Sequence, residues 1–249
     1  MPYDAETHVL EPMLHKMQQW KKLNSQEQRA ILNLPFVTEY ADPARYIVRE
    51  GDRPTHSCLL VSGFAFRQKI VGDGGRSISA VHMRGDIVDL QNSLLETADH
   101  SVQALTRCKV AFIPRQAILE VAFAYPAVGL AMWFDTLVDG SIFREWIANV
   151  GRRSAAQRIA HILCEVGVRL EAAGLGNKLN YELPMTQEHL ADCTGLTPIH
   201  VNRTLKALER SGEITRLKRH VAIADWGKIT KTADFRQAYL HLPQRGLLQ

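Results

Sequence analysis

Cysteine is scarce in this sequence. Cys58, Cys108, Cys164 and Cys193 are the only four in 249 residues, and no two form a C-x-x-C pair. That spacing argues against a disulfide framework and against a zinc site, and leaves free, partly buried thiols as the expectation. No apolar run reaches roughly eighteen residues, so a membrane span is not expected. The opening stretch, MPYDAETHVLEPMLHKMQQW, mixes both charges and lacks a basic-then-apolar leader, which makes the cytoplasm the expected location. A hydrolase triad motif, a nucleotide-binding fingerprint and a paired-carboxylate arrangement are all missing. No enzymatic activity, cofactor or metal is therefore expected. His82 and His100, beside Cys108, have no ligand spacing to support a haem or metal role.

What is present suits two modest domains, each able to bury a core. Apolar residues make up 46% and charged residues 22%, ordinary proportions for a globular protein. The net charge of +4 is unevenly shared. Residues 1–150 carry 15 Lys+Arg against 17 Asp+Glu, a net of −2; residues 151–249 carry 15 against 9, a net of +6. A basic C-terminal half beside a slightly acidic N-terminal half points to a polyanion-binding module attached to something else.

Along the chain, residues 11–34 read as a helical lead-in, with Leu14, Met17, Leu23, Ile31 and Leu34 as its apolar positions. From Tyr46 the texture changes. YIVREGD, SCLLVSGFAFRQKI, RSISAVHM and CKVAFIP are short β-branched and aromatic segments with glycine breaks, the pattern of an antiparallel barrel or jelly roll. Gly51, Gly63 and Gly85 fall at its turns, and Gly72-Asp73-Gly74-Gly75 forms a hairpin tip. After Pro126 the pattern turns helical. Val128, Trp133, Leu137, Val138, Ile142, Phe143, Ile147 and Val150 give this helix more apolar surface than one side needs. It either packs on its own barrel or forms a two-helix seam with a second copy. Gly151 to Ser154 is expected to break it, with Ser154 capping the next helix, which ends near Gly174.

The stretch MTQEHLADCTGLTPIHVNRTLKALERSGEI carries the functional signal. Thr186 caps a helix from Gln187 to Cys193, with Leu190 and Ala191 facing inward. Gly195 makes a tight turn. Thr197 is the next cap, and Pro198 stands at the first helical position, where a missing N–H costs nothing. Val201, Leu205 and Leu208 form the buried stripe of the second helix. Ile199, Asn202, Arg203, Lys206 and Arg210 fall on the other side. Arginine pairs with guanine O6/N7, asparagine with adenine N6/N7, and an exposed isoleucine meets a thymine methyl. These are the tools of a helix-turn-helix in a major groove. A basic hairpin tip at Lys218-Arg219-His220 follows, as in a winged helix. Cys193, just before the turn, is read as a buried structural thiol rather than a redox switch.

Taken in order, VREGDRP with LLVSGFAF, RGDIVDL, the helix 126–150, GRRSAAQRIAHIL and the helix-turn-helix stretch resemble the Crp/Fnr superfamily of bacterial transcription regulators over most of residues 14–225. The resemblance implies an α+β chain: an antiparallel β-roll (jelly roll) sensor over 1–125, a dimerisation helix over 126–150, and a winged helix-turn-helix over 151–249. It implies a homodimer on a palindromic duplex operator, a contact with RNA polymerase if the protein is an activator, and either an unidentified small-molecule effector or a roll that needs no ligand and serves only as scaffold. The implied DNA-binding set is Thr186, Gln187, Thr197, Ile199, His200, Asn202, Arg203, Lys206, Lys218 and Arg219. Within it, Asn202 and Arg203 read bases beside Ile199, while Lys206, Lys218 and the others mainly position the backbone.

The sequence also departs from the family. Members that bind cyclic AMP carry Gly-Glu after the G-D turn, and an Arg further on for the phosphate. Here Asp89-Leu90 stands in the first place, Ala98 or Asp99 in the second, and no arginine lies between Arg84 and Arg107. Cyclic AMP is therefore not expected as the ligand. The clustered N-terminal cysteines of the family's oxygen sensors are missing too. Many members have a Glu where Ile199 stands, so a different operator is expected. The competing reading is a small-molecule sensor whose output is a protein–protein contact.

Overall fold

The structure, a computed structural model, describes residues 8–243. The first seven residues of MPYDAETHVLEPMLHKMQQW and the last six of the 151–249 segment lie outside the described residues. Two compact units form: residues 8–68 with Val81–Asp139, and Lys69–Ala80 with Gly140–Leu242.

The helical lead-in is two helices, α1 (Glu11–Trp20) and α2 (Ser25–Leu32). They separate because Asn24 caps α2 through a capping box with Glu27. Seven strands follow: β1 (Val37–Ala41), β2 (Tyr46–Val48), β3 (His56–Ser62), β4 (Ala65–Ile70), β5 (Arg76–His82), β6 (Ser101–Ala104) and β7 (Cys108–Pro114). They make two sheets, ordered β1-β7-β3 and β2-β6-β4-β5. The expected antiparallel roll is present.

Strand β3 reads as a continuous apolar run because both of its faces are covered. Leu59 packs into a cluster with α1, α2 and residues 118–132, whereas Leu60 packs into a second cluster with Val48, Ala65, Val102 and Val110. Gly51, Gly63 and Gly85 all have positive φ, at 88°, 87° and 94°. Gly63 has a second constraint: a Cβ there would lie 2.5 Å from the Arg107 carbonyl.

The roll's interior holds charge. Arg67 Nη1 binds Asp139 Oδ2 at 2.8 Å, and its Nη2 donates to the Val88 carbonyl. Asp89 is fully buried and accepts the Cys58 N–H at 2.7 Å. Burial pushes its carboxyl up to about 6, against the pull of the Cys58 donors, Arg67 and Asn92. Since the folded value lies above the unfolded one, the folded state holds this proton more tightly. Stability therefore falls as pH rises from about 4 to about 6, by up to about 3 kcal/mol. Asp89→Asn is expected to flatten that segment and to leave the protein more stable than wild type at pH 7.5. Denaturation midpoints that run parallel for both proteins from acid to neutral pH would contradict this.

A helix not anticipated, α3 (Arg115–Ala124), precedes the long α4 (Pro126–Arg152). The long helix runs on through Gly151, two residues past the expected end. Its apolar surface is divided between buried and exposed positions. Val128, Val138 and Ile142 are buried, while Trp133, Leu137 and Ile147 are 63%, 54% and 72% exposed. Ser154 then caps α5 (Ala155–Ala172) through a capping box with Gln157, as expected. The remaining elements are β8 (Asn180–Glu182), α6 (Gln187–Thr194), α7 (Pro198–Arg210), β9 (Ile214–Leu217), β10 (His220–Ile223) and α8 (Trp226–Ala233). Among the described residues no helix is long and apolar enough to cross a membrane.

Candidate nucleic-acid interface

The site is built from α6, α7 and the β9–β10 hairpin. The Thr186 hydroxyl accepts the His189 N–H at the start of α6, and His189 Nδ1 accepts the Thr186 N–H at 3.2 Å. Burial and the nearby Arg76 guanidinium lower the His189 pKa, which keeps Nδ1 able to accept. At the other end, Gly195 takes the left-handed conformation, φ 63°. A side chain there would be strained and would press on Val150 Cγ1. Arg158 Nη1 donates to the Thr194 carbonyl at 2.8 Å, a cation at the negative end of α6.

Thr197 caps α7 by accepting the His200 N–H, with Pro198 in the first turn. Val201, Leu205 and Leu208 are buried as expected, together with Thr204. The opposite face is open: Ile199 is 84% exposed, the largest value among the exposed hydrophobic residues. Ile199, Asn202, Arg203 and Lys206 line one open groove of about 650 Å³ with Gln187 and Pro198. The structure thus brings five of the ten expected residues onto one surface. Thr186, Thr197 and His200 frame the starts of the two helices.

Lys218 and Arg219 form the two-residue turn between β9 and β10, with Leu217 paired to His220. Both are exposed, and Lys218 adopts a positive φ of 56°. The wing is anchored in two ways. Strand β8 pairs with β10 to complete a three-stranded sheet, and Glu209 on α7 grips Arg216 on β9 through two 3.1 Å hydrogen bonds. Arg76, from the tip of the β4–β5 hairpin, binds Asp192 on α6 at 2.7 Å. Glu209, Arg216, Arg158 and Arg76 escaped sequence reasoning because each acts across elements.

Cys193 is buried, and burial pushes its thiol well above the ordinary range, which favours the structural reading over a redox switch. His82 lies against Asp86 and His100 against Asp99. Among the described residues no group of three or more His, Cys, Asp or Glu side chains is placed to hold a metal ion.

Residues 157–231 match the Crp-like helix-turn-helix domain, and residues 38–125 match the cyclic nucleotide-binding domain. Among curated relatives, the transcriptional activator protein FnrL of Cereibacter sphaeroides is 27% identical, over 85% of this chain and 86% of its own length. The transcriptional activatory protein AadR of Rhodopseudomonas palustris is 31% identical, over 67% of this chain and 68% of its own. The solved structure of FixK2 from Bradyrhizobium japonicum shares the fold with a TM-score of 0.74 at 22% identity, spanning 80% of this chain and 98% of that one.

Proposed function

The chain belongs to the Crp/Fnr superfamily and is a DNA-binding transcription regulator, and from that premise we propose that it reads a two-fold symmetric operator as a homodimer. The observation that carries this reading is the exposed groove of α7. Ile199, Asn202, Arg203 and Lys206 face outward there, while the helix's buried residues lie on its other side.

In this reading α7 enters the major groove by its N-terminal half. Arg203 pairs with a guanine and Asn202 with an adenine, and Ile199 covers a thymine methyl. The backbone is held by Lys206, Gln187 and the wing residues Lys218 and Arg219. The starts of α6 and α7, capped by Thr186 and Thr197, present helix N-termini to phosphates, with His200 at the second of them. The dimer is built on α4, whose Leu130, Trp133 and Leu137 follow steps of three and four residues, with Ile147 ten residues further along. The two recognition helices then reach successive major grooves, roughly 34 Å apart.

FnrL and AadR are named as activators, so a contact with RNA polymerase belongs to the same proposal, as does a cytoplasmic location. The roll senses or relays an unidentified signal, and Asp99, at the phosphate position, would repel a cyclic-nucleotide phosphate.

Affinity for duplex DNA measured across a range of salt concentrations tests the interface. Steep salt dependence is expected, and Lys218→Ala should weaken all sequences alike and lower the slope by about one. An unchanged slope would remove Lys218 from the phosphate contacts. Salt-insensitive binding by the wild type would contradict the whole reading.

A further inference from the structure

The match to the helix-turn-helix family ends at residue 231, but the chain continues. The described residues beyond it return to the junction of α4 and α5. After α8, Asp234 takes a left-handed conformation, φ 49°, and a short 3-10 turn follows (Gln237–Leu240). Phe235 and Leu240 are buried.

One carboxylate ties three elements together here. Glu165 of α5 is fully buried. Its Oε2 accepts the Tyr239 hydroxyl at 2.7 Å and Trp146 Nε1 of α4 at 2.9 Å, while Arg169 Nη1 lies 3.4 Å from Oε1. A buried carboxylate persists only where donors converge on it. The Tyr239 hydroxyl also lies 3.0 Å from His161 Nε2, and the two rings stack. Phe235 packs edge-on against His161.

A second tie lies at the helix break itself. Arg153 Nη2 binds Glu145 of α4 at 2.6 Å, the Asp234 carbonyl at 3.3 Å and the Asp234 carboxylate at 3.6 Å. The break between α4 and α5 is only Arg153 and Ser154. Element-terminal residues of this kind absorb large φ/ψ changes unless packing prevents it.

We propose that residues 234–240 form a strap that fixes the angle between α4 and α5, with Tyr239 and Glu165 as positioning residues for operator recognition. This rests on the dimeric reading above. The long helix carries the dimer seam, and α5 leads into α6 and α7. The angle between α4 and α5 therefore sets how far apart the two recognition helices stand. Closing the strap makes the protein selective for one half-site spacing.

The test uses full-length Tyr239→Phe, which removes one hydroxyl and keeps the ring. Trp146→Phe releases the same carboxylate from the α4 side and serves as the second variant. Each is titrated on a symmetric site, on sites with one base pair inserted or removed, and on a single half-site. Tyr239→Phe should lose roughly tenfold on the symmetric site, about the worth of one buried hydrogen bond. Its penalty for altered spacing should shrink, and half-site affinity should stay the same. Equal losses on full and half sites would mark a merely structural role and overturn the proposal. So would an unchanged spacing preference at full affinity. A wild-type protein with no preference for a symmetric site would instead overturn the dimeric reading itself.

Discussion

Arg203→Ala lowers affinity for the cognate site by about 1–3 kcal/mol and relaxes the preference at one base pair. The expectation follows from where the side chain stands. It is exposed on α7, in the groove shared with Ile199, Asn202 and Lys206. Truncating it leaves the buried face of the helix, Val201, Thr204, Leu205 and Leu208, untouched. In the proposed reading the lost energy is that of a bidentate pair with guanine, which a wrong base cannot replace. Dissociation constants for the cognate site, its single-base variants and unrelated duplex, all at one salt concentration, decide the matter. A base reader loses affinity mainly on the cognate site. Equal loss on cognate and unrelated DNA would reduce Arg203 to a phosphate contact.

On the proposed α4 seam, Trp133→Glu should have the larger effect, because it would act on both copies at once. Trp133 is 63% exposed on α4, with Leu130 at 49% and Leu137 at 54% one turn to either side. Fully burying a large apolar side chain contributes about 1.5–3 kcal/mol. Two copies in one seam make that about 3–6 kcal/mol, roughly two to four orders of magnitude in the dimer constant. The introduced carboxylates add repulsion across the two-fold axis. Sedimentation of the variant at micromolar concentration should show monomer. Affinity for the symmetric site should collapse, while affinity for an isolated half-site survives. A variant that remains dimeric and binds its operator normally would place the interface elsewhere.

Much of this architecture was legible because local signals agreed with each other. Thr186, Thr197, Pro198, Gly195 and the stripe Val201, Leu205, Leu208 each point to the same two helices, and all behave as expected. The strands with clear apolar runs, such as β3 and β7, were equally plain. Strands β1 and β6 were not. Strand β1 is exposed over Val37, Thr38, Glu39 and Tyr40, and β6 is only Ser-Val-Gln-Ala, so pairing with neighbours rather than sequence texture makes them strands. Helix α3 escaped notice because Pro114 precedes it and no side chain caps it. At the site, the exposed groove could be read from helical periodicity. The supports behind it could not, because Arg158, Arg216 and Tyr239 bind partners far away in sequence or on another element. Buried charge was invisible for the same reason: Arg67 meets Asp139 and Val88, and Glu165 meets Trp146 and Tyr239, all on other parts of the chain.

Selection of bound sequences from a random duplex pool by the purified protein tests dimeric, sequence-specific recognition most directly. Recovery of a two-fold symmetric site, with half-sites about one helical turn apart, is the expected result. Its bases would also show what Ile199, Asn202 and Arg203 read. Persistent failure to enrich any site, with and without candidate effectors, or enrichment of a single unrepeated half-site, would contradict it.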